Sequence, residues 1–338
     1  MQAEALLLRS IYTNKAVPAF LAGTADLKGI FMSHKQVITW NEHHGTCLDT
    51  ANGFDIIDCN SCKFKHIVPL PAAEELDKIY KFEYYTQEIP LYIQRYTEDL
   101  AWWNSVYKER YDEYENLLPS TRRRILDVGS GPGYFLLHGK ERGWDTLGIE
   151  PSQRAAQHSR ELGLDIIETF LAEEMIKEAL GSFDVVNMSE VLEHVPNPKK
   201  MIEIAHELLS PGGLFCSVVP NDYNPFQLAL RKSCAFSPWW VSVPHHINYF
   251  NFDSFSNLLN LCGFEEVSRE STFPMDLFLL MGNNYICNDN VGRLCHNQRM
   301  NFERNLLASD QKELKRALYT AFANLNIGRE IKITARKI

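Results

Sequence analysis

Two groups of residues have types and spacings that could do chemistry. In the first, the apolar run Ile125-Leu126-Asp127-Val128 leads into Gly129-Ser130-Gly131-Pro132-Gly133 and then a helical Tyr134-Phe135-Leu136-Leu137. A tight glycine turn between strand and helix lets a ligand press against backbone whose amide donors are still free. The spacing is G-x-G-x-G, not the G-x-G-x-x-G that suits a pyrophosphate, and Glu150 closes the following strand, Leu147-Gly148-Ile149-Glu150. A carboxylate about 20 residues past such a loop is placed to accept both ribose hydroxyls, so a nucleoside ligand is expected. In the second group, His44-x2-Cys47 and, after eleven residues, Cys59-x2-Cys62 have the pairing of a small zinc ribbon, in which two knuckles set four ligands at the corners of a tetrahedron. His43 and His66 compete as histidine ligands, and four protein ligands leave no open position, so any zinc here is structural.

The elements that must position these groups are legible in outline. From Arg124 onward, β-type runs at Ile125–Val128, Thr146–Ile149, Asp165–Ile167, Phe183–Met188 and Leu214–Val219 alternate with helical patterns. Such alternation implies βαβ units, hence an α/β fold with a mostly parallel sheet and helices on both faces. Met201, Ala205, Leu208 and Leu209 share one helical face that Pro211-Gly212-Gly213 ends, and Phe255, Leu258, Leu259 and Cys262 before Gly263 repeat the pattern. Leu100, Trp103, Tyr107, Tyr111 and Tyr114 recur at helical spacing. The expected organisation is an extension over 1–31, with Met32 an alternative start, then a ribbon-like segment over 32–72, a helical cover over 73–120 and a nucleoside-binding domain over 121–285. Met275–Leu280 reads as its last strand, and 286–338 as a helical tail whose Arg293, His296, Arg299 and Arg304 either contact an anionic acceptor or, the commoner case, form a solvated basic face.

The run from Ile125 to Tyr134 resembles the first motif of class I S-adenosylmethionine-dependent methyltransferases. Phe183-Asp184-Val185-Val186-Asn187-Met188-Ser189-Glu190-Val191-Leu192-Glu193-His194-Val195 looks like the family's fourth motif, and Leu208–Leu214 like the approach to its fifth strand. The resemblance covers about residues 121–270 and implies a Rossmann-like seven-stranded, mostly parallel sheet with S-adenosylmethionine as cofactor. Carried over by position, Gly129, Ser130, Gly131 and Gly133 would approach the methionine part and Asp127 would orient that loop or the amino group. Glu150 would hold the ribose, Phe170 and Leu171 would flank the adenine, and Met188 and Ser189 would lie near the sulfonium. The segment around Cys59 and Cys62, with its Pro-rich turn and Tyr84-Tyr85 pair, also looks like the cysteine-rich segment preceding some sugar-modifying methyltransferases.

Methyl transfer is an in-line displacement, so the protein chiefly aligns acceptor and methyl group and excludes water. A hydroxyl acceptor still benefits from a general base, for which His194, His245 and His246 are the candidates. The aromatic insertion over 220–246, with Tyr223, Trp239 and Trp240, reads as a lid over the acceptor, because loops at the C-terminal ends of parallel strands line the ligand crevice. The expected acceptor is a small molecule or glycan hydroxyl, first a sugar or polysaccharide unit, and second a quinol-like phenol, because Leu192–Pro196 resembles ubiquinone-pathway O-methyltransferases. A tRNA-modifying enzyme and a noncatalytic adaptor are the other classes. The formal charge of -9 disfavours nucleic acid as a partner. No stretch approaches the roughly 20 apolar residues that cross a bilayer, and the scattered cysteines suit a reducing cytoplasm better than a disulfide framework. Oligomeric state is left open.

Overall fold

Alternating short strands and tight turns at the N-terminus build an antiparallel sheet in the computed structural model, which describes residues 36–78, 92–173 and 181–338. The expected extension over 1–31 and the Tyr84-Tyr85 pair lie outside the described residues. The strands are β1 (Val37–Trp40), β2 (His43–Ala51), β3 (Phe54–Cys59) and β4 (Lys65–Val68). Among the described residues three helices follow: α1 (Ala73–Lys78), α2 (Tyr92–Glu98) and the long α3 (Leu100–Leu117). On α3 the expected face is buried at Tyr107, Tyr111 and Tyr114.

The doubly wound part begins with β5 (Arg124–Val128), α4 (Tyr134–Glu141), β6 (Asp145–Ile149), α5 (Gln153–Glu161) and β7 (Asp165–Ile167). It continues through β8 (Phe183–Ser189), α6 (Pro198–Leu208), β9 (Leu209–Pro220), α7 (Pro225–Cys234), β10 (Asn248–Tyr249), α8 (Phe252–Leu261) and β11 (Phe264–Ser271). Last come α9 (Asp276–Leu280), α10 (Asp289–Ala308), α11 (Lys312–Asn324) and β12 (Glu330–Lys337). The seven-stranded sheet has the order β11-β12-β9-β8-β5-β6-β7, and β12 pairs antiparallel with both of its neighbours. Strands buried on both faces read as near-continuous apolar runs. Thus Leu126 and Val128 pack toward α6 and α8, while Ile125 packs toward α3 and α4.

The chain order reverses at β5, which is hydrogen-bonded to β6 on one side and β8 on the other. Open α/β sheets bind ligands in the crevice outside the carboxyl ends of the strands at such a switch point. Here Asp127 lies directly opposite Asn187.

Three expectations are corrected. Met275–Leu280 is not a strand: Asp276–Leu280 is the short helix α9. The tail over 286–338 is not wholly helical, because its last residues form β12, inserted between β9 and β11. Ile331, Ile333 and Ala335 of β12 face the core, whereas Lys332 and Arg336 turn toward α3: Lys332 Nζ pairs with Glu113 at 2.7 Å, and Arg336 Nη2 donates to the Leu117 carbonyl at 3.2 Å. The 220–246 insertion is not an aromatic lid. It contains α7, begun by a capping box between Asn224 and Gln227, and its Tyr223, Trp239 and Trp240 are buried against Ile56 and Ile67 of the antiparallel sheet. That sheet needs an apolar cover on one face, and the insertion supplies it. β10 completes the join by pairing with β4 through Asn248 and His66.

α3 is held close to α4 because residue 139 has no side chain. A Cβ at Gly139 would overlap the hydroxyl and ring of Tyr111, which is fully buried and donates to the Phe135 carbonyl at 3.3 Å. Alanine favours a helix by about 1 kcal/mol over glycine, but overpacking of this kind costs about 1–3 kcal/mol. Gly139→Ala is therefore expected to destabilise the protein on balance, by about 1 kcal/mol, in urea denaturation followed by tryptophan fluorescence. A stabilised variant would mean that α3 does not need this contact.

Candidate active site

Burial of charge at the switch point organises the site. The Asp127 carboxylate is buried and accepts a hydrogen bond from Asn187 Nδ2 at 2.6 Å. Arg110, reaching in from α3, donates through Nη1 to Ser189 Oγ at 2.9 Å and to Asn187 Oδ1 at 3.4 Å. Tyr114 Oη donates to the same Asn187 oxygen at 3.3 Å. Burial pushes Asp127 up to about 7, against the opposing pull of the Asn187 hydrogen bond and the Arg110 charge.

Beside this network the glycine loop turns through left-handed conformations at Gly129, Gly131 and Gly133, with φ of 70°, 54° and 82°. Glu150 fixes the loop by accepting from the Gly131 and Ser152 amides, each at 2.8 Å. Burial raises Glu150 to about 7, although the two amides favour its charged form. Gly133 serves packing: a Cβ there would strike Ser159 and Leu164.

The loop opens onto a cavity of about 240 Å³, whose walls include Asp127, Gly129, Ser130, Gly131, Asn187 and Ser189. Ser130 Oγ is buried in this wall with no hydrogen-bond partner among the described residues, a fit for a polar ligand. An aromatic wall faces the loop. Tyr96 stacks on Trp103 at 4.9 Å and on Tyr134 at 5.3 Å, both nearly parallel. Further in, Glu113, Lys332, Glu270 and Arg299 line the cavity. Glu190 also lines it, in a left-handed conformation at φ 57° that its amide secures by donating to the Val218 carbonyl at 2.8 Å. Removal of its carboxyl from water, and then the nearby Glu330, hold it well above the ordinary range, against the opposing effect of its contact with Glu193.

Other residues singled out by sequence lie elsewhere. Met188 points into the hydrophobic core, as does Leu171, and Phe170 is half-buried; none of the three lines the cavity. Nor do His194, His245 and His246. His194 Nδ1 donates to the His245 carbonyl at 2.8 Å, its ring meets that of His246 at 5.0 Å, and its Nε2 is 3.6 Å from Glu193 Oε1. Burial lowers His194 to about 4 and takes His246 well below its usual value, so both are neutral. Sequence reasoning missed Arg110 and Glu190. Asn187 carried a signal, a polar side chain inside an otherwise apolar parallel strand; Arg110 carried none, among the charged residues of its helix.

The expected ligand set His44, Cys47, Cys59 and Cys62 does not come together. A knuckle needs a turn, but His44 and Cys47 lie in the nine-residue strand β2. Residues three apart in a strand point to opposite faces about 10 Å apart. His44 is exposed beside Ser61, and the Cys47 thiol faces the Asp49 carbonyl and Asp55. Instead His43 and His66 converge with Cys59 and Cys62, their ligand atoms all within 4.8 Å of one another.

The seven-stranded sheet and the loop at its switch point define a Rossmann-like methyltransferase fold. The family model described as a methyltransferase domain matches residues 101–269, half of the chain, and the chain belongs to that family. Among curated relatives, a ubiquinone biosynthesis O-methyltransferase of Ralstonia nicotianae is 33% identical over 144 residues, covering 38% of this chain and 60% of the relative. A protein of the same name from Ruegeria pomeroyi is 30% identical over 158 residues, covering 45% and 64%. The chain thus spans less than two thirds of the length of these relatives. A solved S-adenosylmethionine-dependent methyltransferase from Archaeoglobus fulgidus aligns at 18% identity with a TM-score of 0.44, covering 69% of this chain and 94% of its own. Among the described residues no helix is long and apolar enough to cross a membrane.

The raised Asp127 has a consequence for stability. Its folded-state value of about 7 lies above the ordinary 3.8, so folding takes up a proton between these values. The stabilisation relative to the unfolded chain is complete below about pH 4 and is lost as the pH rises through about 7. Ligand-free protein should therefore melt at a lower temperature at about pH 8 than at about pH 5. Asp127→Asn, which keeps an acceptor for Asn187, should remove part of that difference in thermal scans. A variant whose profile parallels the parent's would trace the loss to other groups.

Proposed function

We propose that this protein is an S-adenosylmethionine-dependent O-methyltransferase whose acceptor is a quinol-like phenol. One observation carries the reading. A single cavity joins the glycine loop at the switch point, a stacked aromatic wall and a half-buried carboxylate, Glu190. The backbone of Gly129–Gly131 and the unpartnered Ser130 hydroxyl would hold the cofactor, with Glu150 at its ribose and Asp127 toward its cationic end. S-adenosylmethionine supplies an electrophilic methyl group on a sulfonium.

The residues of this chain do the remaining work. Trp103, Tyr96 and Tyr134 offer flat, partly apolar surfaces on which a phenolic ring can stack, worth about 0.5–1.5 kcal/mol per pair beyond burial. They also exclude water from the transfer path. Glu190 takes the proton of the acceptor hydroxyl, a role suited to a carboxyl whose affinity for protons has been raised toward neutrality. His194 and His246 act as structural residues behind it, neutral and packed on each other. The names of the curated relatives support a phenol over a sugar unit. That reverses the order expected from the N-terminal segment. The aromatic residues on which the sugar reading leaned are buried beneath the antiparallel sheet.

Purified protein supplied with S-adenosylmethionine should methylate a catechol-type quinol and leave a nucleotide-linked sugar unmodified. Methylation of the sugar alone would overturn the acceptor class. Calorimetry should show S-adenosylhomocysteine affinity reduced at least about tenfold by Glu150→Ala, and unchanged affinity would sink the cofactor placement. Glu190→Gln should lower turnover on the order of 10²-fold with cofactor affinity intact. Because Glu190 must be ionised to act, the parent's rate should climb with pH well past the ordinary carboxylate range of about 4, a limb that Glu190→Gln lacks. A normal rate in Glu190→Gln would remove it from catalysis.

A further inference from the structure

We propose that His43, Cys59, Cys62 and His66 form a structural tetrahedral zinc site, a Cys2His2 set distinct from the one that residue spacing suggests. The donors come from four places in the antiparallel sheet. His43 opens β2, Cys59 ends β3, Cys62 lies in the turn after it, and His66 is in β4. With zinc–sulfur bonds of about 2.3 Å and zinc–nitrogen bonds of about 2.0–2.1 Å, tetrahedral geometry puts sulfur and nitrogen about 3.5 Å apart. His43 Nδ1 lies 3.3 Å from Cys62 Sγ and 3.7 Å from Cys59 Sγ. The His43 and His66 rings meet edge to face at 4.7 Å.

The second observation is at His66. Its ring is 2% exposed, and its Nδ1 donates to the Ile67 carbonyl at 2.9 Å, leaving Nε2 as the lone-pair nitrogen. That Nε2 is buried with no hydrogen-bond partner among the described residues. An unsatisfied buried nitrogen costs about 1–3 kcal/mol, and a metal bond removes the cost. A ligating histidine whose other ring nitrogen is fixed by a backbone carbonyl is the usual arrangement at zinc. Two thiolates and two imidazoles suit zinc over the harder divalent ions. Binding releases the two thiol protons to solvent and forms two Zn–S and two Zn–N bonds, with no change of oxidation state. Four protein ligands close the coordination sphere, so the role is structural. Through His66, which pairs with Asn248, the site fastens the antiparallel sheet to the segment whose Asn248 side chain donates to the Leu192 and Val195 carbonyls.

The test uses the full chain and no readout of methyl transfer. Protein incubated with zinc and desalted should hold one zinc per chain by elemental analysis. Cys59→Ser and His66→Ala should each lose it, while His44→Ala and Cys47→Ser keep it. Absence of zinc from the parent overturns the site, and loss in His44→Ala or Cys47→Ser with retention in His66→Ala overturns the ligand set. Should the Cys59 variant fail to fold, the parent alone decides: a strong chelator should expose two further thiols to a disulfide reagent under native conditions. A thiol count unchanged by chelation rejects the proposal.

Discussion

The structure turns on a buried carboxylate at the end of the central strand. Asp127 ends the central strand of the sheet, and parallel neighbours on both sides leave Asn187 as its close partner in the sheet. One hydrogen bond does not compensate a buried charge, which costs several kcal/mol even after relaxation. The remainder must come from outside the sheet, and α3 brings it as Arg110, whose guanidinium joins Asn187 and Ser189 into the same network. A long helix from before the first core strand is thereby tied to the centre of the site. Its depth depends on Gly139, which lets the Tyr111 ring sit against α4. Its tilt toward the sheet depends on Glu113, which pairs with Lys332 of β12 and accepts from Ser268 of β11. The C-terminal strand β12 and the helix α3 therefore hold each other across one buried charge cluster, and the cavity remains between them.

The parallel core was the readable part, for a physical reason. Strands covered on both faces must be apolar at nearly every position, so β5, β8 and β9 stand out against their surroundings, and the glycine loop stands out because its left-handed turns exclude other residues. β12 was hidden by the opposite circumstance. It alternates apolar with charged residues, and its charged face is satisfied inside the molecule by Glu113, Glu270 and the Leu117 carbonyl. Met275–Leu280 looked more like a strand by composition, but five residues capped by a turn from Pro274 form a helix.

The candidate site was legible only where residue type alone carried the chemistry. Asp127, the loop and Glu150 followed from their position in a βα unit. Arg110 did not, because a charged residue on an amphipathic helix reads as solvent-facing until the tertiary partner is known. The metal-ligand pairing failed for a related reason. Sequence spacing treats His44 and Cys47 as a turn, whereas β2 is extended through both and turns only at its ends, which puts His43 and not His44 next to Cys59. In the same way, the histidine pair at 245 and 246 stood where a general base belongs in chain order, and packing against Glu193 and His194 drew it behind the cavity wall.

The division of labour within the cavity bears on how an acceptor is chosen. Residues 101–269, which match the family, contribute Asp127, the loop, Asn187, Ser189 and Glu190, the groups that the proposed reading assigns to the cofactor and to proton removal. The opposite wall combines α3 residues inside that span with residues outside it: Tyr96 before it, and Arg299, Glu303, Tyr319 and Lys332 after it. Two of these charges are already committed: Glu303 accepts from Trp102 Nε1 at 2.6 Å and from Tyr319 at 2.7 Å, and Lys332 is shared by Glu113 and Glu270. An acceptor that competes for Lys332 would have to break its buried pairing with Glu113 and Glu270, at a cost of about 3–5 kcal/mol. A neutral ring needs only to displace water from the Tyr96–Trp103–Tyr134 stack. On this reading the committed Lys332 and Glu303 disfavour acceptors that would compete for them, and the aromatic stack favours flat ones.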